Sequence, residues 1–155
     1  MNKPIRKGVR TYLLNENQIV VIKYLTKENK NYYDIPGGKI EENETNEQAA
    51  IREFKEETGI DIFNLKLVGN LIVECPKKIF DFDIFITKDY NGNPCVFTEN
   101  SSMWIDIDYL LKQEKRFKTT ELLSKSYNKY LKLNNNFKIK FILDDNDNII
   151  EKFVS

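Results

Sequence analysis

Tyr33–Ile60, YDIPGGKIEENETNEQAAIREFKEETGI, divides into a short strand, a Pro-Gly-Gly turn, a loop, a helix and a glycine stop. Thr45 with Gln48 three residues on is a capping-box pattern. Residues 46–58 are mostly strong helix formers, and Gly59 falls where a left-handed glycine ends the last turn. At about 100° per residue, Glu53, Glu56 and Glu57 share one arc roughly 100° wide. Ala50, Ile51 and Phe54 occupy an adjacent arc, the predicted core face. Gln48 and Lys55 point to water.

Carboxylates at i, i+3 and i+4 repel by roughly 0.2–0.5 kcal/mol per pair. No Lys or Arg stands among these three: Arg52 is on the flank of their arc and Lys55 lies opposite. A hard divalent cation removes the repulsion, because Mg²⁺ takes carboxylate oxygens and keeps positions open for water and phosphate. Ala49, one turn earlier on the same face, leaves room for a ligand. Gly37 and Gly38 free the backbone for a turn packed against a phosphate. Glutamates at this spacing also describe a solvated acidic helix face, so the wider pattern has to decide.

That pattern is G-x5-E-x7-R-E-φ-x-E-E-x-G-φ, carried by Gly38, Glu44, Arg52, Glu53, Phe54, Glu56, Glu57, Gly59 and Ile60. With seven positions fixed to one residue type, chance produces it at a given start on the order of once in 10⁸. It resembles the Nudix box without a departure, over residues 38–60, and the flanking PGGKIE and ET-x-EQA-x-x-RE are similar to the MutT-like branch. The resemblance implies an α/β/α sandwich with a mixed β-sheet, one Nudix hydrolase domain over residues 1–155. It implies hydrolysis of a nucleoside diphosphate linked to a variable group, above all a nucleoside triphosphate, oxidised or not, to monophosphate and pyrophosphate. ADP-ribose, dinucleoside polyphosphates and RNA 5′ ends are the other substrates it admits. A nucleotide-binding regulatory module that has lost catalysis is the non-enzyme alternative, and it would be expected to lack box glutamates that are all present here.

By the same resemblance, Glu53, Glu56 and Glu57 hold Mg²⁺ or Mn²⁺ with Gly38, while Gly37, Gly38 and Lys39 bind substrate. Glu53, Glu57 and Arg52 belong to the catalytic set. Arg52 and Glu44 act more by orienting loop and helix than by touching reacting atoms, and Glu44 and Gly59 are structural. Glu99, five residues before Trp104, is placed like the glutamate that supplies a further metal ligand or the base in MutT-like relatives. Asp106 and Asp108 stand where carboxylates could read a base edge, with helix capping as the competing explanation. The chemistry agrees with the residues: a pyrophosphate needs its charge neutralised before water attacks, and a carboxylate not committed to metal can take the water's proton.

The whole chain of 155 residues, with 24 basic and 24 acidic side chains, suits a single hydrophobic core and sets up no net field toward nucleic acid or an anionic membrane. There is no histidine, which excludes histidine bases, Ser-His-Asp and Cys-His nucleophiles and His-ligated zinc. Cys75 and Cys95 form no C-x-x-C pair. With no apolar leader or 18-residue apolar run, the expectation is a reduced, cytoplasmic, non-membrane protein acting on a small nucleotide.

Strands are expected at 8–14, 18–25 and 32–35, within 63–74 with a bulge at Gly69, and at 79–88, where Phe80, Phe82, Ile84 and Ile86 alternate with Asp81 and Asp83. The two aspartates read as the polar side of a half-buried strand. Residues 89–100 read as a loop, Trp104–Ile105 as a short strand, and helices should follow Asp106 to about Glu114 and run from Thr120 to about Leu133. Tyr24, Tyr32 and Phe80 could stack on a base. Lys112, Lys115, Arg116 and Lys118 read as a solvated basic loop. A terminal hairpin over about 137–153 closes through DDNDN, a polar turn lacking the glycine of a calcium loop, and its edge could pair with a second copy.

Overall fold

Alternation along the first strand sets the layers. In the computed structural model, which describes residues 2–25, 27–28, 30–96, 100–113, 121 and 136–154, β1 (Ile5–Asn15) points Val9 and Leu13 to one face and Tyr12 and Leu14 to the other. Side chains alternate along a strand, so a strand apolar on both faces belongs inside a sheet. β1 pairs in parallel with β7 (Ile79–Thr87) on one side. On the other it pairs antiparallel with β2 (Gln18–Leu25) through a two-residue turn in which Glu16 takes a positive φ of 55°.

β3 (Asn31–Asp34) extends the sheet beyond β2, while β6 (Lys66–Glu74), β10 (Phe137–Leu143) and β11 (Ile149–Val154) extend it beyond β7. The order is β11-β10-β6-β7-β1-β2-β3. β4 (Gly37–Lys39) pairs with the first half of β1, and β9 (Asn100–Asp106) with β2. β5 (Asp61–Phe63) and β8 (Asp89–Asn91) form a separate ribbon. With β1–β7 and β6–β10 parallel and the rest antiparallel, the sheet is mixed.

Helix α1 (Asn46–Thr58) starts with the expected capping box, both halves formed, and ends at Gly59 with φ 78°. Its Ala49 and Ala50 pack on Val9 and Phe85, and Phe54 packs with Leu13, Val20, Ile60 and Ile62. Burial of a side chain like Phe54 is worth roughly 1.5–3 kcal/mol. Ala49, expected to make room for a ligand, is fully buried in this contact. The short α2 (Ile107–Lys112) inserts Ile107 and Leu110 on the opposite face, with Tyr12, Ile84 and Ile139. Helices on both faces of a mixed sheet make the α/β/α sandwich.

The strands expected at 18–25 and 79–88 are found within a residue of those limits. The register slips between Leu67 and Gly69, where a bulge was expected. Two expectations change. The Pro-Gly-Gly segment is not an open turn: Gly37–Lys39 is a strand, and neither glycine has positive φ. Residues 89–100 are not all loop, because Asp89–Asn91 pair with β5. In the terminal hairpin the Asp144 carboxylate accepts from the amides of Asn146 and Asn148 at 2.8 and 2.9 Å, which closes a polar turn. Apart from residue 121, the helix expected over Thr120–Leu133 lies outside the described residues, as do Lys115, Arg116 and Lys118.

Candidate active site

The box carboxylates meet the glycine pair where α1 crosses β4. Gly37 and Gly38 stand in register with Arg10 and Val9 of β1, so their lack of side chains serves close approach rather than unusual backbone angles. A Cβ on Gly37 would overlap the Val9 carbonyl oxygen and lie 2.8 Å from Arg10 Cδ. A Cβ on Gly38 would sit 2.6 Å from both Glu53 carboxylate oxygens. The Gly37 amide donates to Glu57 Oε1 at 2.9 Å. Glu53 and Glu57 are thus brought together on Gly38 and Gly37, one turn of helix apart.

Glu56 behaves differently: its side chain is 59% exposed, and Arg52 donates to it at 3.3 Å. Among the described residues no three carboxylates converge closely enough to enclose a metal ion. Arg52, placed on the flank by helical geometry, reaches much further than expected. Its Nε and Nη2 donate to the two oxygens of Glu44 at 2.6 and 2.9 Å, its Nη1 to Glu53 at 3.0 Å, and its Nη2 also to the Lys39 carbonyl at 3.0 Å. The repulsion inferred from the spacing is therefore relieved in part by Arg52. The reason is the length of the side chain, which lets it fold back over its own helix face.

The electrostatics separate these carboxylates. The bidentate Arg52 contact, helped by the Glu41–Glu44 backbone contact, holds Glu44 down to about 2. Burial pushes the Glu57 carboxyl up to about 7, against the opposing Gly37 amide and the positive charge of Arg10. Burial also raises Glu53, opposed by Arg52. A group whose folded pKa is raised contributes stability that is complete below its unfolded value and lost as pH rises through the folded one. Metal-free protein is therefore expected to lose thermal stability between about pH 4.5 and 8 by on the order of 3 kcal/mol at most. Glu57→Gln should flatten that slope in melting curves recorded across the range, and an unchanged slope would remove Glu57 as its source.

The remaining candidates are scattered. Lys39 is exposed on β4 beside Gly38. Asp106 caps α2, accepting from the Asp108 amide at 2.9 Å, and the Asn17 side chain donates to both aspartates at 3.3 and 3.4 Å. Asp106 stands opposite Gln18 in register beside the β1–β2 turn, with Asp108 next to it on Asn17, whereas Gly37 and Gly38 pair with Arg10 and Val9 in the middle of β1. The structure does not bring them to the box, and capping accounts for Asp106. Glu99 lies outside the described residues. Asp81 and Asp83 are bridged by Asn70 at 2.7 and 3.2 Å, and Asn46 donates to Asp83 at 3.0 Å, as befits the polar side of a strand.

One residue of this neighbourhood was missed. Arg10 crosses Gly37, donates to the Ile35 carbonyl at 3.2 Å, and holds its guanidinium 5.0 Å from the Phe82 ring centroid. The available signal was the alternation in IRKGVR, which sets Arg6, Gly8 and Arg10 on one side of a strand.

The model of the NUDIX domain family matches residues 4–124. The chain is 39% identical over 74 residues to an oxidized purine nucleoside triphosphate hydrolase of Danio rerio, a match covering 46% of this chain and 47% of that protein. It is 34% identical over 73 residues to an 8-oxo-dGTP diphosphatase of Haemophilus influenzae, covering 47% of this chain and 54% of that protein. The chain thus spans about half the length of these relatives. The crystal structure of a MutT protein from Bacillus halodurans superposes with a TM-score of 0.79 over 97% of both chains at 17% identity, which establishes a shared fold. Among the described residues no helix is long and apolar enough to cross a membrane.

Proposed function

The chain belongs to the NUDIX domain family, and from that premise we propose that it is a divalent-cation-dependent pyrophosphohydrolase of nucleotides, cleaving a nucleoside triphosphate to monophosphate and pyrophosphate whether or not its base is oxidised. The observation that carries this reading is the pair of carboxylates gathered on Gly37 and Gly38. Both are held where burial penalises their negative form, so each gains from a cation. The donor types fit Mg²⁺ or Mn²⁺: carboxylate oxygens of Glu53, Glu57 and the exposed Glu56, with the Gly38 carbonyl, and no soft or imidazole ligand.

When bound, such an ion neutralises phosphate charge and lowers the pKa of water. The protein's own contributions follow from the geometry. Gly37 orients Glu57 through the 2.9 Å amide bond, and bare Gly38 leaves space for the Glu53 carboxylate. Arg52 is a positioning residue: it ties Glu44 and the Lys39 carbonyl to α1 while steadying Glu53. Either Glu53 or Glu57, or Glu99 by resemblance, takes the proton as water oxygen bonds to phosphorus and the bridging oxygen departs with the pyrophosphate. We read residues 1–155 as one such domain, because β10 pairs with β6 and places Phe137, Ile139, Phe141 and Leu143 in the main core.

Release of product should be followed with Mg²⁺ and with Mn²⁺ on the four normal deoxynucleoside triphosphates, 8-oxo-dGTP and ADP-ribose. Monophosphate plus pyrophosphate from a triphosphate is the expected result. No hydrolysis of any of them with either ion rejects the activity, and turnover of ADP-ribose alone moves the substrate class.

A further inference from the structure

The layer that holds α1 is only half filled. α1 packs mainly against β1, β4, β5 and β9, and α2 inserts on the opposite face of the sheet. Among the described residues neither helix packs on the α1-side face of β6, β10 and β11. Strand partners in register show the same face of a sheet, so the pairing gives the rows across it. From β1 through β7, β6 and β10 to β11, one row is Ile5, Ile79, Glu74, Ile142 and Glu151. The next is Lys7, Asp81, Ile72, Lys140 and Phe153. A third adds Asp83, Asn70 and Lys138, and a trough of about 410 Å³ lies over it and the second. Ile5 and Phe153, at the two ends, are 57% and 53% exposed.

Charge on this face is sorted by strand. β7 presents Asp81 and Asp83, β10 presents Lys138 and Lys140, and β6 separates them. Among the described residues Lys7, Lys138 and the two aspartates take part in no salt bridge. Two aligned sheets pack face to face about 10 Å apart. A two-fold axis lying between two such faces, along β6, sets β7 of one copy over β10 of the other. Asp81 then meets the second copy's Lys140, Asp83 meets its Lys138, and Ile79 meets its Ile142. Ile72 meets its own counterpart on the axis, and Lys7 comes over the ring of Phe153. Glu74 alone faces a like charge, and it is neutralised within its own chain by Lys3 at 3.0 Å and Lys140 at 3.4 Å. An axis across the strands would instead stack β7 on β7 and β10 on β10, acid on acid and lysine on lysine.

We propose that this face is the interface of a homodimer, covered by a second copy of the chain about the axis along β6. The complementary charges lie on the face of the sheet, not on the β11 edge to which the sequence pointed. Five strands about 4.8 Å apart and three rows about 7 Å apart cover roughly 24 by 20 Å. Over two copies that is roughly 1,000 Å², where specific interfaces begin. The dimer is therefore weak. It is independent of the pyrophosphohydrolase reading, because none of its residues belongs to the box.

Sedimentation velocity of the full-length protein at low salt tests this directly. A monomer–dimer equilibrium with a dissociation constant on the order of 100 µM is expected, weakening several-fold as added salt screens the pairs. Lys138→Glu, at an exposed position, is expected to weaken it by about tenfold or more, because two-fold symmetry counts each change twice. Adding Asp83→Lys to Lys138→Glu exchanges the two charges and should restore the affinity to within about threefold of wild type. Ile72→Lys sets two like charges on the axis and should leave no dimer; it decides the matter should the double variant fail to fold. Absence of dimer in wild-type protein at about 1 mM overturns the proposal. A dimer of wild-type strength in Lys138→Glu or Ile72→Lys also overturns it, and is the result that pairing through the β11 edge would give. So does a folded double variant that recovers nothing.

Discussion

Glu57→Gln is expected to lower Mg²⁺-dependent hydrolysis of a nucleoside triphosphate by about 10²–10³-fold, the range for removing one preorganised charge at a reacting centre. Gln keeps an oxygen that can accept from the Gly37 amide, the 2.9 Å contact that fixes this side chain. The substitution therefore removes the charge and leaves the geometry. It also removes the cost of burying that charge, so the metal-free variant should melt no lower than wild type above neutral pH. The two measurements separate chemistry from folding. A variant that melts normally and turns over within a few-fold of wild type would show that Glu57 takes no part, and the carboxylate assignment would fall with it.

Gly37→Ala and Gly38→Ala should part company, although the two positions are adjacent. At Gly37 the new methyl overlaps the Val9 carbonyl oxygen and lies 2.9 Å from Arg10 Cα. Those are backbone atoms of the central strand, and they cannot move without opening the β1–β4 pairing. The expected loss is about 3 kcal/mol or more, the upper part of the range for overpacking, or about 6–12 °C in melting temperature for a domain of this size. At Gly38 the three atoms nearest the methyl all belong to the tip of Glu53, a side chain that can swing aside. Melting should then change by no more than a few degrees while turnover falls by about tenfold or more, because Glu53 has left its place. Wild-type melting of Gly37→Ala would contradict the packing, and full turnover in Gly38→Ala would contradict the use of Glu53.

Much of the site was legible because it is local. The capping box of Thr45 and Gln48, the Gly59 stop and the shared arc of the three glutamates all depend on residues within a turn or two of each other. Helical spacing fixes such relations before any tertiary contact forms. The same locality explains where the reading fell short. Helical angles placed Arg52 on the flank of the glutamates' arc rather than among them, but a long side chain is not confined to its own arc, and Arg52 reaches Glu44, Glu53 and Glu56. Asp106 follows the tryptophan as a base-reading carboxylate would, yet its place beside Asn17 is set by β9 pairing with β2.

By itself, then, the sequence determined the helix with its caps, the family-specific spacing of the carboxylates and the absence of histidine chemistry. Tertiary structure alone decided that Gly37 and Gly38 are strand residues packed under Val9 and Arg10, that burial raises Glu57, and that Arg6, Arg10 and Phe82 share one pocket. The reason is sequence distance. Parallel pairing of β1 with β7 brings Ile5 opposite Ile79 and Gly8 opposite Phe82, and no periodicity within either segment encodes which register of the other it will meet.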